Sequence, residues 1–362
     1  MRILTLVLAP GRRLWQKYPV NPARRRVASV AALAGVLAVG PPSRASMGPP
    51  VDTLAAVGGL PAHMVGQLEA PIGFVQTSTG EYLVLDRRQH TVYGVNAAKT
   101  TMRTVLQIGF EQGRVLEPGV LALGPADIFA VADAPSGNER IQYFTTAGQF
   151  LGGFYLQSKV APRIVLGPIV INGVGSMAFA EKTFLVNRPD SGALISEFDV
   201  SGAVVRHFGM LRRTGFESDR DVHLALNIGL PLVDPTGGYF FVFQTGAPMF
   251  QKYDAQGTLV FERHIEGVEL DPSIVSLPTV WPRQREGALP VVPPLVRTAA
   301  VDGKGQLWVS LMTPFTYVYD AHGEKTRTVQ FQAASLLSPA SLFFTPQGRL
   351  LVTPGCYEFA TR

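Results

Sequence analysis

Short apolar segments recur along the chain, each bounded by turn residues. Six of them have a valine at the centre: Tyr82-Leu83-Val84-Leu85, Phe129-Ala130-Val131-Ala132, Phe184-Leu185-Val186, Phe241-Val242-Phe243, Trp308-Val309-Ser310 and Leu351-Val352-Thr353. A turn glycine precedes four of them: Gly80, Gly237-Gly238, Gly305 and Gly348. Such short runs, rich in aromatic and β-branched residues, predict buried strands. A second signal follows the valine. An aromatic residue stands four positions before a glycine in Phe144…Gly148, Phe198…Gly202, Tyr253…Gly257 and Tyr319…Gly323, and Asp follows the aromatic directly at Asp199, Asp254 and Asp320. The Asp side chain closes a turn by accepting backbone amides, and glycine takes the positive φ that the turn requires. The pattern predicts a hairpin between the aromatic strand and the next one.

Each repeat therefore reads as four strands: a short inner one, the valine strand, the aromatic strand and an outer strand. The repeats fall near 70–112, 116–156, 172–209, 225–266, 295–331 and 337–362. Successive valines are 47, 55, 56, 67 and 43 residues apart. A solenoid wants a more constant period, whereas radial repetition of four-stranded sheets gives a β-propeller that tolerates unequal connections. The predicted fold is all-β, a six-bladed β-propeller of four-stranded antiparallel blades. The last repeat is one strand short, and Thr53-Leu54-Ala55-Ala56-Val57 has nothing of its own to pair with. This N-terminal strand is expected to supply the missing outer strand and close the ring.

The segment from Asn138 to Gly152, with Glu139-Arg140-Ile141-Gln142-Tyr143-Phe144 inside it and Val131-Ala132-Asp133 before it, resembles an NHL repeat. The resemblance is good in the second repeat, weaker in the first and fifth, and faint elsewhere. It implies a six-bladed propeller. It implies little about activity, because NHL-like propellers include scaffolds, receptors and a few lyases.

The chain has 362 residues, 46% hydrophobic and only 16% charged, with 37 glycines and 28 prolines scattered through it, as in a folded, turn-rich protein. The formal charge of +5 is uneven. The first 46 residues hold eight of the 32 Lys and Arg and no acid, so beyond them 27 acids face 24 bases. With the basic excess confined to that leader, and no basic helix or basic–aromatic ladder after it, a nucleic-acid partner is not expected. Residues 1–46 read as an export signal: Arg24-Arg25-Arg26, an apolar run of 13 from Val27 to Val39, and small residues before Ser46. The run is shorter than the roughly 20 residues of a membrane span. The expected mature domain, 47–362, is extracytoplasmic (secreted or periplasmic) with no membrane span; an uncleaved anchor is the alternative. The single cysteine, Cys356, rules out an intrachain disulfide and reads as a buried, inert thiol.

A propeller's ligand face is usually one mouth of its central channel. Two positions beyond the valines stand Asp86, Asp133, Arg188, Gln244, Leu311 and Pro354. The first four, with the neighbouring Arg87 and Arg88 and with Trp281 on a long Pro-rich connection (267–295), are the candidate ligand-binding residues. Arginine forks suit carboxylate, phosphate or sulfate, and Trp281 offers a ring to stack on a sugar. The competing reading of Asp86 and Asp133 is that they cap their own turns. The long connection itself reads as a lid or docking surface, and the apolar segment 157–173 as packed on the propeller.

A lyase of the NHL family uses metal-binding histidines. Here His63, His90, His207, His223, His264 and His322 occupy no common repeat position; His90 and His223 are the ones placed on the ligand face, with Asp86, Asp219 or Asp221 nearby, and His90 is the candidate metal ligand. No nucleophile elbow, zincin motif or phosphate loop occurs. The expected function is an exported ligand-binding or protein-interaction module for a small anionic or sugar-like ligand or a partner protein, without a cofactor. The alternative is a metal-assisted lyase or hydrolase with one divalent ion at the channel mouth.

Overall fold

A computed structural model describes residues 50–156, 174–283, 285 and 287–361, together with the backbone of 164–166 and 169–171. The leader, and the packing expected of 157–173, lie outside the described residues. The fold is all-β and propeller-like. Four separate four-stranded antiparallel sheets span Pro71–Leu106, Val120–Tyr155, Met177–Met210 and Gly229–His264, each with its strands in chain order. Each central valine occupies the second strand of its set and is fully buried.

The hairpin chemistry is as the residues predict. Asp199 Oδ1 accepts the Ser201 and Ala203 amides at 2.8 and 3.0 Å. Asp254 Oδ1 accepts those of Gln256 and Thr258 at 2.9 and 2.8 Å, and Asp320 Oδ1 those of His322 and Glu324 at 2.9 Å each. Gly202, Gly257 and Gly323 follow with φ of +87°, +83° and +81°, a region that an L side chain enters only with strain.

The fifth and sixth repeats differ from the expectation of separate blades: they share one nine-stranded sheet. The joint is the N-terminal strand Val51–Gly59. Its second half pairs antiparallel with the last strand, Ala56 opposite Phe359 and Gly59 opposite Tyr357, which is the predicted outer-strand role. Its first half, Val51 to Ala55, pairs parallel with Thr328 to Gln332 of the fifth repeat's outer strand. One strand thus satisfies the hydrogen-bonding edges of two repeats, an edge that would otherwise template aggregation.

The first strands of the repeats follow one another in a closed circuit. Pro71–Gln76 lies beside Val120–Leu123, then come Met177–Ala180, Gly229–Val233, Val296–Val301 and Ser341–Phe344, which returns to Pro71–Gln76. The core is divided in the same order. Phe129, Val131 and Phe144 pack against Leu83 and Leu85 of the first sheet, and Trp308, Val318 and Phe331 against Leu350, Val352 and Phe359. Leu351 and Cys356 close the series against Phe74, Tyr82 and Val84. Burial pushes the Cys356 thiol up to about 12, consistent with an inert side chain.

Candidate functional site

The six first strands enclose a central cavity of about 360 Å³. Antiparallel pairing sets its two ends. Pro71 pairs with Asp86, Gly229 with Phe243 and Val296 with Leu311, so first strands begin where second strands finish. Arg87, Gln244 and Arg297 therefore share one mouth. The opposite end is formed by Val75, Leu123, Phe179, Val233, Val301 and Phe344 and is wholly apolar.

Arg297 sits in a β-bulge between Val296 and Thr298, a device that re-aims a side chain out of the regular ladder. Gln244 fixes this bulge from the neighbouring sheet. Its Nε2 donates to the Arg297 carbonyl at 3.1 Å, and its own carbonyl accepts the Leu295 amide at 2.7 Å and the Val296 amide at 3.2 Å. The Arg297 guanidinium makes no hydrogen bond or ion pair among the described residues. Burial lowers the pKa of Arg297. Burial also lowers that of Arg87, and the charge of Glu117 partly offsets it. No carboxylate lines the cavity among the described residues. Two partly desolvated guanidinium groups thus stand over an apolar shaft.

The other candidates lie elsewhere or are already engaged. Asp86 is fully buried and accepts four amides: Glu69 at 2.6 Å, Ala70 at 3.2 Å, Arg88 at 3.0 Å and Gln89 at 3.1 Å. It ties the turn after the second strand to the segment entering the first. Asp133 does the equivalent in the next sheet, accepting the Leu116 amide at 2.9 Å and binding Arg140 through both carboxylate oxygens at 2.9 and 2.6 Å. Burial pushes the Asp133 carboxyl up against the pull of Arg140. Arg188 is buried between Asp190, at 3.2 Å, and Glu139, at 3.6 Å. Arg88 projects into solvent, 76% exposed, and meets Glu69 at 3.0 Å.

Trp281 is buried away from the channel, against Phe216, Val222, Leu226 and Val292. It is not among the residues that line the channel. Its connection is tied to a short helix: Arg283 meets Asp219 at 2.6 Å and Asp221 at 3.1 Å, and Asp219 also caps the helix Arg220–Ala225.

His90 has φ of +52°, and its Nδ1 accepts the Glu117 amide at 2.7 Å. His207 and His264 lie on outer strands, His322 in a hairpin turn and His223 on the short helix. Among the described residues no group of three His, Cys, Asp or Glu comes together as a metal cage would require. No described helix is long and apolar enough to cross a membrane.

Sequence reasoning found Arg87 and Gln244 at the mouth but missed Arg297. A signal existed. Among the six first strands Arg297 is the sole charged residue, and a charge on a strand lining an apolar channel is costly unless it is paired or hydrogen-bonded.

No protein-family profile and no curated protein sequence matches the chain. Solved structures do. Virginiamycin B lyase from Staphylococcus aureus aligns over 78% of this chain and 77% of its own, with 9% identity and a TM-score of 0.50. The calcium-binding protein regucalcin from Agrobacterium tumefaciens aligns over 84% and 87%, with 13% identity and a TM-score of 0.46. The WD40 propeller domain of Doa1 aligns over 80% and 78%, with 12% identity and a TM-score of 0.46. At 9% identity the likeness to the lyase concerns the fold alone: the chain is an all-β protein of the propeller type.

Proposed function

We propose that the chain is an exported six-bladed propeller that binds a small organic anion at the arginine-bearing mouth of its central channel. The blade count takes the nine-stranded sheet as two blades joined at the parallel pairing of Val51–Ala55, and the closed circuit of six first strands supports it. Kinship with NHL repeats rests on the Asn138–Gly152 segment. Export rests on the basic triplet and apolar run of the leader. The binding reading rests on one observation above others: the Arg297 guanidinium, partly desolvated in an apolar cavity and without an acceptor among the described residues.

Each part has a role. Arg297 and Arg87 supply charge-assisted donors for a carboxylate or other oxyanion. Gln244 holds the Arg297 backbone. The narrow apolar wall below accommodates a short hydrocarbon body.

The test is a melting series with succinate, butyrate and inorganic phosphate. A ligand binding only the folded chain at about 100 times its Kd adds about 2.7 kcal/mol of stability. At least one of these anions should raise the melting temperature of the wild type, and Arg297→Gln should abolish the rise. No shift from any anion, or a shift that survives in Arg297→Gln, removes the proposal.

A further inference from the structure

A second cavity, of about 780 Å³, shares no lining residue with the channel. It runs along the side of the molecule between the outer strand of the third sheet (Val204–Met210) and the outer half of the fourth (Met249–His264), and Leu277 and Trp281 of the long connection cover one end. Its size falls in the ordinary range for small-ligand sites, about 300–1,000 Å³. Space is kept open at Gly209, φ +77°, where a Cβ would stand 2.7 Å from the Tyr253 hydroxyl.

The walls are unevenly equipped. Met210 is 86% exposed and Leu259 48%, both on the cavity lining, so large apolar side chains face water there. Polar groups of the fourth-sheet wall are already spent on one another: Tyr253 donates to Gln251, whose Nε2 donates to Glu262 at 3.1 Å. Trp281 Nε1 is buried without an acceptor among the described residues.

At the end nearest Trp281 stand two guanidinium groups. Arg212 donates only to carbonyls, Leu226 at 2.6 Å, Ala247 at 2.5 Å and Thr245, and lies over the Phe243 ring at 4.2 Å. Among the described residues it has no carboxylate partner, and burial lowers its pKa to about 10. Arg213, exposed, makes no ion pair among the described residues. Glu262 and His264 are the remaining charged or titratable lining groups besides Tyr253, so guanidinium charge outweighs carboxylate, and it is concentrated at one end.

From this charge and apolar pattern we infer that the lateral groove is a second site, for an amphipathic monoanion. Its carboxylate meets Arg213 in the field of the uncompensated Arg212, and its aliphatic or aryl body covers Met210, Leu259 and Leu277. This site is separate from the channel mouth and does not depend on it.

Octanoate is a suitable probe, with 1-octanol as the uncharged control, titrated calorimetrically into the protein. Octanoate should bind saturably to the wild type, more tightly than octanol. Arg213→Ala and Met210→Asp, both at exposed positions, should each weaken it about tenfold, the weight of one charge-assisted or well-buried contact. Arg297→Gln should leave it unchanged. Absence of saturable binding, equal affinity for octanol, or full binding in either groove variant overturns the inference. Loss of octanoate in Arg297→Gln with retention in the groove variants also overturns it, and assigns the anion to the channel mouth.

Discussion

Glu358 shows how single residues lock neighbouring repeats. Its carboxylate is 1% exposed and accepts from Tyr82 Oη at 2.8 Å, from Arg349 at 2.8 Å and from Lys99. Tyr82 and Lys99 belong to the first sheet, Arg349 and Glu358 to the last strands of the chain. Burial acts to raise the Glu358 pKa, and the donors outweigh it, so the net direction is down. The sign follows from linkage. A carboxylate depressed on folding contributes stability above its unfolded pKa, and that contribution is lost as pH falls through the folded value. Stability should therefore decline on acidification from about pH 5 downward. Glu358→Gln should flatten that decline and cost about 2 kcal/mol at neutral pH, as expected for a hydrogen-bonded buried group left with poorer partners. Urea titrations of both proteins at several pH values check this, and an unchanged acid profile in the variant would refute it. His90 is the opposite case. With Nδ1 engaged by the Glu117 amide, His90→Ala should cost only about 1 kcal/mol and leave anion binding untouched.

At the scale of elements, the strand Val51–Gly59 carries more than its length implies. It completes the last repeat and also ties it to the fifth. Gly59 passes so close to the last strand that an added Cβ would lie 2.6 Å from the Cys356 carbonyl, and Leu60 then donates to that same carbonyl at 3.0 Å. Gly59→Val should push this strand off, expose the edge of Tyr357–Ala360 and produce soluble aggregates below the wild-type melting temperature. Light scattering during a thermal ramp reads this directly, and coincident curves would contradict it. The strands themselves were legible in the sequence because each is short, buried and bounded by its own turn chemistry, as at Asp254 and Gly257. The parallel half of the N-terminal strand was not, since no local signal distinguishes one outer edge from another. The site was legible only in part for a related reason. Arg140 stands opposite Asp133 across one hairpin, a local pairing, whereas Glu139 beside Arg188 and the amides of Glu69 and Ala70 at Asp86 are supplied by tertiary contact. The bulge that re-aims Arg297 depends on Gln244 in another sheet.

Among the described residues a closed circuit of first strands is combined with two differently made cavities. The channel is narrow and apolar, with cationic groups at one mouth. The lateral groove is larger, open and apolar, with guanidinium charge at one end. Neither feature requires the +5 formal charge of the full sequence, since residues 1–46 carry eight bases and no acid and the remainder is net acidic, 27 acids against 24 bases. What matters is local: Arg297 and Arg212 have no carboxylate partner among the described residues and are partly withdrawn from water. The most direct measurement is a crystal of residues 47–362 soaked in selenate, whose anomalous scattering locates a bound oxyanion. The account predicts a peak in the channel mouth within hydrogen-bonding distance of Arg297 and absent from Arg297→Gln crystals. Peaks confined to other arginines, with an empty mouth, would contradict it.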